Sequence, residues 1–200
     1  VNEMSLVTVI ARWNYITVMC DGQATNKESH RAIVEDVKKF KMLGSEQFIA
    51  FTGDKLLAEE GAEMANELYN MGYNLHEIAS TLQQKMIEQI PYNEQYRNDV
   101  QFAIGGKTNQ NSIVYYVISN KYNSVDQMQS YTPDKTSLFY NILGGDYCTF
   151  NKKEALEKLI GKNNCVLPEQ VLLSQKELNS MVAQEDHQVN DHTSFLKITL

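Results

Sequence analysis

The 200-residue sequence is poor in the residues that build metal centres, disulfide frameworks and membrane spans. Its three cysteines, Cys20, Cys148 and Cys165, are odd in number and include no Cys-x-x-Cys pair. That usage reads as a reducing compartment without a structural zinc site. The four histidines, His30, His76, His187 and His192, never fall in an HxH or HExxH pattern, so no metal is expected, and no motif asks for a cofactor. No stretch approaches the ~20 apolar residues that a membrane span needs. The opening residues, Val1 to Ser5, show neither a basic n-region nor a long apolar h-region. We therefore expect no secretory signal and a cytoplasmic protein. Positive charge is also scarce: 18 Lys and Arg face 25 Asp and Glu, for a net charge of -7. The densest basic run, Lys38, Lys39 and Lys41, makes no phosphate-tracking face, which argues against a nucleic-acid binder.

What is present suits one soluble domain with a full core, spanning residues 1–200: 42% hydrophobic and 22% charged residues, with no repeat, low-complexity tract or linker. Residues 6–12 and 15–20 are β-branched-rich runs separated by Trp13-Asn14, which predicts a hairpin. Their apolar residues do not alternate, so both faces should be buried. A second hairpin is expected over 38–43 and 47–52, joined by Gly44-Ser45-Glu46. Leu57, Gly61, Met64, Ala65 and Leu68 then fall at helical spacing, predicting a helix over 54–71 that stops at Gly72. Asn74 with Glu77 forms a capping box for a second helix, which Pro91 ends. Residues 100–104 and 113–118 read as strands around a Gly105-Gly106 turn. Thr132-Pro133 signals a third helix, with proline at its first position. Asn151 with Glu154 caps a short helix fading at Gly161, Pro168 opens a longer one to about Ala183, and 194–200 is a closing strand. Runs of strands followed by runs of helices indicate an α+β fold, in which two stacked sheets with helix pairs outside would make four layers.

Five segments carry a more specific signal: Ser5-Leu6-Val7-Thr8-Val9, Asp21-Gly22-Gln23-Ala24-Thr25, Lys39-Phe40-Lys41-Met42-Leu43, Ala50-Phe51-Thr52-Gly53-Asp54 and Phe102-Ala103-Ile104-Gly105-Gly106. Any one is weak. Asp21 alone reads as a turn residue and Lys39 alone as one of a solvated set. In this order and spacing the sequence resembles the proteasome β-subunit family, the threonine-type peptidases of the N-terminal-nucleophile hydrolase superfamily. The resemblance implies a four-layer αββα sandwich and a hydrolase, with peptide or protein substrates. It implies a homo-oligomeric ring or stacked rings, and leaves open whether an ATPase partner feeds them. It also leaves open a non-catalytic, ring-forming subunit of the same fold.

In that chemistry an N-terminal hydroxyl residue attacks an amide carbonyl while its own α-amine, with an ordinary pKa of roughly 7.7–8.0, takes the proton. A lysine lowers the hydroxyl's pKa and an aspartate orients the lysine. A backbone N–H at a helix start binds the oxyanion. Carried over by position, the resemblance makes Ser5 the nucleophile, Asp21 the aspartate, Lys39 the lysine and Gly53 the oxyanion donor. Thr25 would bind substrate backbone and Phe51 would floor the pocket for the side chain before the cut. Asp186 would be the supporting aspartate before the last strand. Ser5 is internal as written. Its amine is freed either by removal of Met4 as initiator or by cleavage of residues 1–4 as a short propeptide. The sequence departs from the family where a Gly-Ser-Gly segment is expected, which we place at Thr132-Pro133-Asp134-Lys135-Thr136. It departs again at Val189, where a serine is expected, at Gln23 in place of arginine, and over 144–167, which reads as an insertion.

Overall fold

The computed structural model describes residues 2–4, 6–26, 32–34, 36–96 and 98–200, of which 2–4 and 32–34 are described as backbone only. The first half is mostly strand: β1 (Asn2–Met4), β2 (Leu6–Arg12), β3 (Tyr15–Asp21), β4 (Ala24–Asn26), β5 (Ala32–Val34), β6 (Phe40–Met42) and β7 (Gln47–Asp54). Two helices follow, α1 (Lys55–Asn70) and α2 (Leu75–Gln89), then β8 (Val100–Lys107), β9 (Ile113–Ser119), β10 (Gln129–Tyr131) and β11 (Leu138–Gly144). The chain ends with α3 (Lys152–Lys162), α4 (Pro168–Glu185) and β12 (Thr193–Thr199). The fold is thus mixed α+β, with strands in two antiparallel sheets. One runs β10-β9-β8-β7-β1-β4-β5, with β6 also on β7, and the other runs β11-β2-β3-β12.

Three apolar clusters follow from strands buried on both sides. From Leu6 to Ala11 and throughout β3 every residue is buried. Val7, Val9, Val18 and Cys20 share one cluster with Phe48, Ala50, Ala103 and Tyr115, so this core draws on both sheets. Ile49, Phe51, Phe102 and Ile104 of the larger sheet instead pack with Ala58, Ala62 and Ala65 of α1 and Ile78 and Leu82 of α2. Leu6, Ile10 and Tyr15 of the smaller sheet pack with Leu156 of α3 and Val171, Leu178 and Val182 of α4. Small residues on the buried stripe of α1 let the helix approach its sheet closely. A Cβ on Gly61 would lie 2.3 Å from the Phe102 ring.

The helix pair α1 and α2 matches its sequence signals within one residue at each end. Asp54 caps α1 by accepting the amides of Leu56 and Leu57, and the Asn74–Glu77 capping box is formed. Two expectations fail. Gly105-Gly106 is not a turn but lies inside β8, and the reversal comes at 108–112, where Thr108 N–H donates to the Ser112 carbonyl. Thr132-Pro133 opens no helix. Asp134 there accepts the amides of Thr136 and Ser137 in a local turn, a competing use of its carboxylate, and β11 follows. Residues 144–167 begin at the last residue of β11 and contain α3, the short helix expected there.

Candidate functional site

Asp21 ends β3, and Lys39 immediately precedes β6, so the two come from different sheets. Both side chains are wholly buried and form an ion pair. Lys39 is held in place by its backbone: its N–H donates to Cys20 Sγ at 3.4 Å, and its carbonyl accepts Phe51 N–H at 2.9 Å. Asp21 Oδ1 accepts the Lys39 ammonium and also the Leu6 amide at 3.0 Å, while Oδ2 accepts the Gln23 amide at 2.9 Å. Burial pushes the Asp21 carboxyl up from its ordinary range, and the Lys39 ammonium and these donated hydrogen bonds pull it back. The same burial pushes up the Cys20 thiol.

Close to Asp21 in the chain, β4 and β7 are separated by the single strand β1 and so form the two edges of a one-strand groove. The backbone of Asn2–Met4 runs antiparallel between β4 and β7: Asn2, Glu3 and Met4 pair with Asn26, Thr25 and Ala24 on one side, and Glu3 and Met4 with Asp54 and Gly53 on the other. Thr25 is buried, and its hydroxyl has no hydrogen-bond partner among the described residues. Gly53 has φ +100, and a Cβ there would lie 2.1 Å from the Asp99 carbonyl oxygen, so the position demands glycine. It stands directly before capped helix α1, whose N-terminus carries the positive end of the helix dipole. Phe51 packs inside the helix-side core, where its visible service is to hold Lys39 by the backbone.

The last expected residue, Asp186, caps the C-terminus of α4 and is wholly buried. It accepts the amides of Gln188 at 2.9 Å and Tyr147 at 3.4 Å. The loop after it clamps the turn that follows Asp21: Gly22 N–H donates to Asn190 Oδ1 at 2.9 Å, and Gln23 Nε2 to the His187 carbonyl at 2.7 Å. Gln23, the substitute for the expected arginine, is thus a structural tie. Val189 is buried in the α3–α4 core. Ser5 lies outside the described residues, and the site is traced from its neighbour Leu6.

The segment facing Leu6 was misplaced by sequence reasoning. Gly144 pairs with Leu6, whereas Leu138 pairs with Arg12 at the far end of β2. Asp134 precedes that far end, about 20 Å along the strand from Leu6. The residues beside the pair's anchor are therefore Gly144, Gly145, Asp146 and Tyr147, together with Lys152, which reaches back to them. The Gly144-Gly145 doublet was the available signal, since paired glycines before a helix mark a close backbone approach.

Among the described residues there is no group of three or more His, Cys, Asp or Glu that would hold a metal ion, and no helix long and apolar enough to cross a membrane. No family model matches the sequence, and no curated protein matches it. Among solved structures the chain is similar to the crystal structure of eukaryotic HslV from Trypanosoma brucei, at 14% identity and a TM-score of 0.67, over 98% of this chain and 100% of that one. At that identity the likeness is one of fold, and the fold is of the HslV type.

Proposed function

We propose that this protein is a proteasome-like N-terminal-nucleophile hydrolase on a four-layer αββα sandwich, cleaving amide bonds in peptides through Ser5 once residues 1–4 are removed. One observation carries the reading: Asp21 Oδ1 receives both the buried Lys39 ammonium and the amide of Leu6, so the residue after Ser5 is tied to the carboxylate that holds the lysine. A wholly buried ion pair is a poor source of stability, which leaves a chemical use as the better reason for it. The strand Asn2–Met4 between β4 and β7 supports a peptide substrate, since the groove takes extended backbone on both edges.

In this scheme the freed Ser5 amine takes the proton of its own hydroxyl as Oγ bonds to the substrate carbonyl carbon. The Gly53 N–H, at the α1 N-terminus, stabilises the oxyanion. The ammonium then returns the proton to the leaving amine, and water, activated by the same amine, hydrolyses the ester. Lys39 lowers the proton affinity of the hydroxyl, Asp21 and Asp186 hold the surroundings, Thr25 carries substrate backbone, and Phe51 shapes the pocket from behind. The HslV-like fold supports assembly as a homo-oligomeric ring, and the cysteine usage of the sequence supports a cytoplasmic one; the identity of any ATPase partner is a separate question.

The test is the mass and N-terminus of the mature chain, followed by treatment with a β-lactone or a peptide boronate. We expect a chain beginning at Ser5 and one covalent adduct on it. A chain still beginning at Val1 and unlabelled by either reagent refutes the hydrolase. The second reading, a ring-forming subunit without activity, is favoured by Val189, which puts buried hydrocarbon where the resemblance calls for a serine. Ring assembly in light scattering, with hydrolysis unaffected by Lys39→Ala, would support it.

A further inference from the structure

Lys152 is the first residue of α3, where a positive charge opposes the helix dipole. An exposed lysine there would point into water. This one instead bends back along its own chain, and its side chain is only 20% exposed. The ammonium donates to the carbonyl oxygens of Gly144 and Gly145, at 2.5 Å each, and lies 3.6 Å from Asp146 Oδ1. Both glycines are left-handed, with φ +74 and +67, so a conformation unfavourable for other residues aims two carbonyls at one cation. The doublet faces the candidate centre. Gly144 pairs with Leu6, and a Cβ on Gly145 would lie 3.1 Å from Leu6 Cδ1 and 3.4 Å from Lys152 Nζ. The other end of the loop is tied to α4 by Tyr147 on Asp186 and Thr149 on Glu185.

We propose that Lys152 is a positioning residue of the Ser5 centre, locking the Gly144-Gly145 carbonyls against Leu6 and supplying a cation on the β11 side of that residue. The inference rests on the hydrolase reading. Its charge favours the neutral form of the Ser5 amine, the form that accepts the proton. The charged and titratable groups around this region are Lys39 and Asp21 from the two sheets, Asp54 from α1, Asp146 and Cys148 from the loop, and Glu185 and Asp186 from α4. Of these, Asp21 and Lys39 are paired with each other, so removal of Lys152 leaves the carboxylates of the loop and α4 in excess.

The experiment is the rate of β-lactone labelling of the mature chain against pH, for wild type, K152Q, K152M and K152R. We expect K152Q and K152M to be labelled about tenfold more slowly at pH 7, with the acid limb moved to higher pH by about half a unit or more. K152R, which keeps the charge, should keep the limb near its wild-type position. K152Q retains a donor for one carbonyl and serves if K152M fails to fold. A labelled wild type whose neutral variants show the same rate and the same limb overturns this inference alone. An unlabelled wild type overturns it together with the hydrolase reading.

Discussion

Lys39 and Asp21 meet across the space between the two sheets, each wholly buried, with the lysine on the larger sheet's side and the carboxylate at the end of β3. Neither charge has access to water, so each is the other's only substantial compensation beyond hydrogen bonds. Removing one leaves the other stranded. Lys39→Met should therefore lower stability by ~3–5 kcal/mol. The double variant Lys39→Met with Asp21→Leu should recover most of that loss while remaining inactive. Urea denaturation of the two single variants and the double variant checks both points, and additive losses would contradict the pairing.

Gly53 offers an independent test of the groove. With φ +100 and only 2.1 Å between the position of an added Cβ and the Asp99 oxygen, alanine cannot enter without moving β7 or the loop before β8. Gly53→Ala should cost ~2 kcal/mol or more, a fall in Tm of roughly 4–8 °C. Gly72→Ala has open space and a φ of +89, so it tests the backbone penalty without the clash and should cost less.

Tyr15 predicts an alkaline limit. The side chain is wholly buried beside Arg12, and burial pushes its phenol up to about 12. The fold thus favours the neutral phenol. The stability this represents is fully present below pH ~10, the ordinary tyrosine value, and is lost as pH rises through 12. With screening by the nearby guanidinium we expect a loss of ~1–2 kcal/mol over that window. Tyr15→Phe should flatten this part of the stability profile. Because the hydroxyl has no hydrogen-bond partner among the described residues, the variant should be neutral or slightly stabilising at pH 7. Guanidinium titrations from pH ~9 to ~12 would show it.

Gln175 joins α4 to the smaller sheet through polar contacts inside an apolar cluster. Its Nε2 donates to the Thr8 carbonyl and Thr8 Oγ1, both at 3.0 Å, and its Oε1 accepts Thr17 Oγ1 at 2.8 Å. Gln175→Leu should cost ~1–3 kcal/mol by leaving these groups underpaired. Adding Thr8→Val and Thr17→Val should return part of it, which thermal unfolding can measure.

The sequence was most informative where structure is decided locally. Asn74 and Glu77 name their own capping box, and the 3.6-residue stripe of α1 needs no distant partner to be seen. It was misleading where one residue type has two local uses. Thr132-Pro133-Asp134 carries a helix-start signal, but Asp134 spends its carboxylate on Thr136 and Ser137, and the following apolar run Leu138–Gly144 completes the sheet beside β2. Non-local polar ties were invisible for a different reason. Gln175 meets Thr8, and Gln83 meets the backbone of Ser119, only after the chain has folded back on itself. The same holds for the candidate site. The order of Asp21, Lys39 and Gly53 along the chain pointed to one place, and the structure brings Asp21 and Lys39 into contact, with Gly53 lining the adjoining groove. Lys152 and its two glycine carbonyls belong to the end of a strand that the misread helix had hidden.

The seating of Asn2–Met4 between β4 and β7 has a kinetic meaning. A segment tethered to its own binding site acts at an effective concentration on the order of millimolar, whatever the protein concentration in solution. If the groove takes peptides as proposed, any free peptide below that level is outcompeted while the tether is intact, and the rate of cleavage after Met4, rather than the supply of peptide, would set when the groove opens to outside chains.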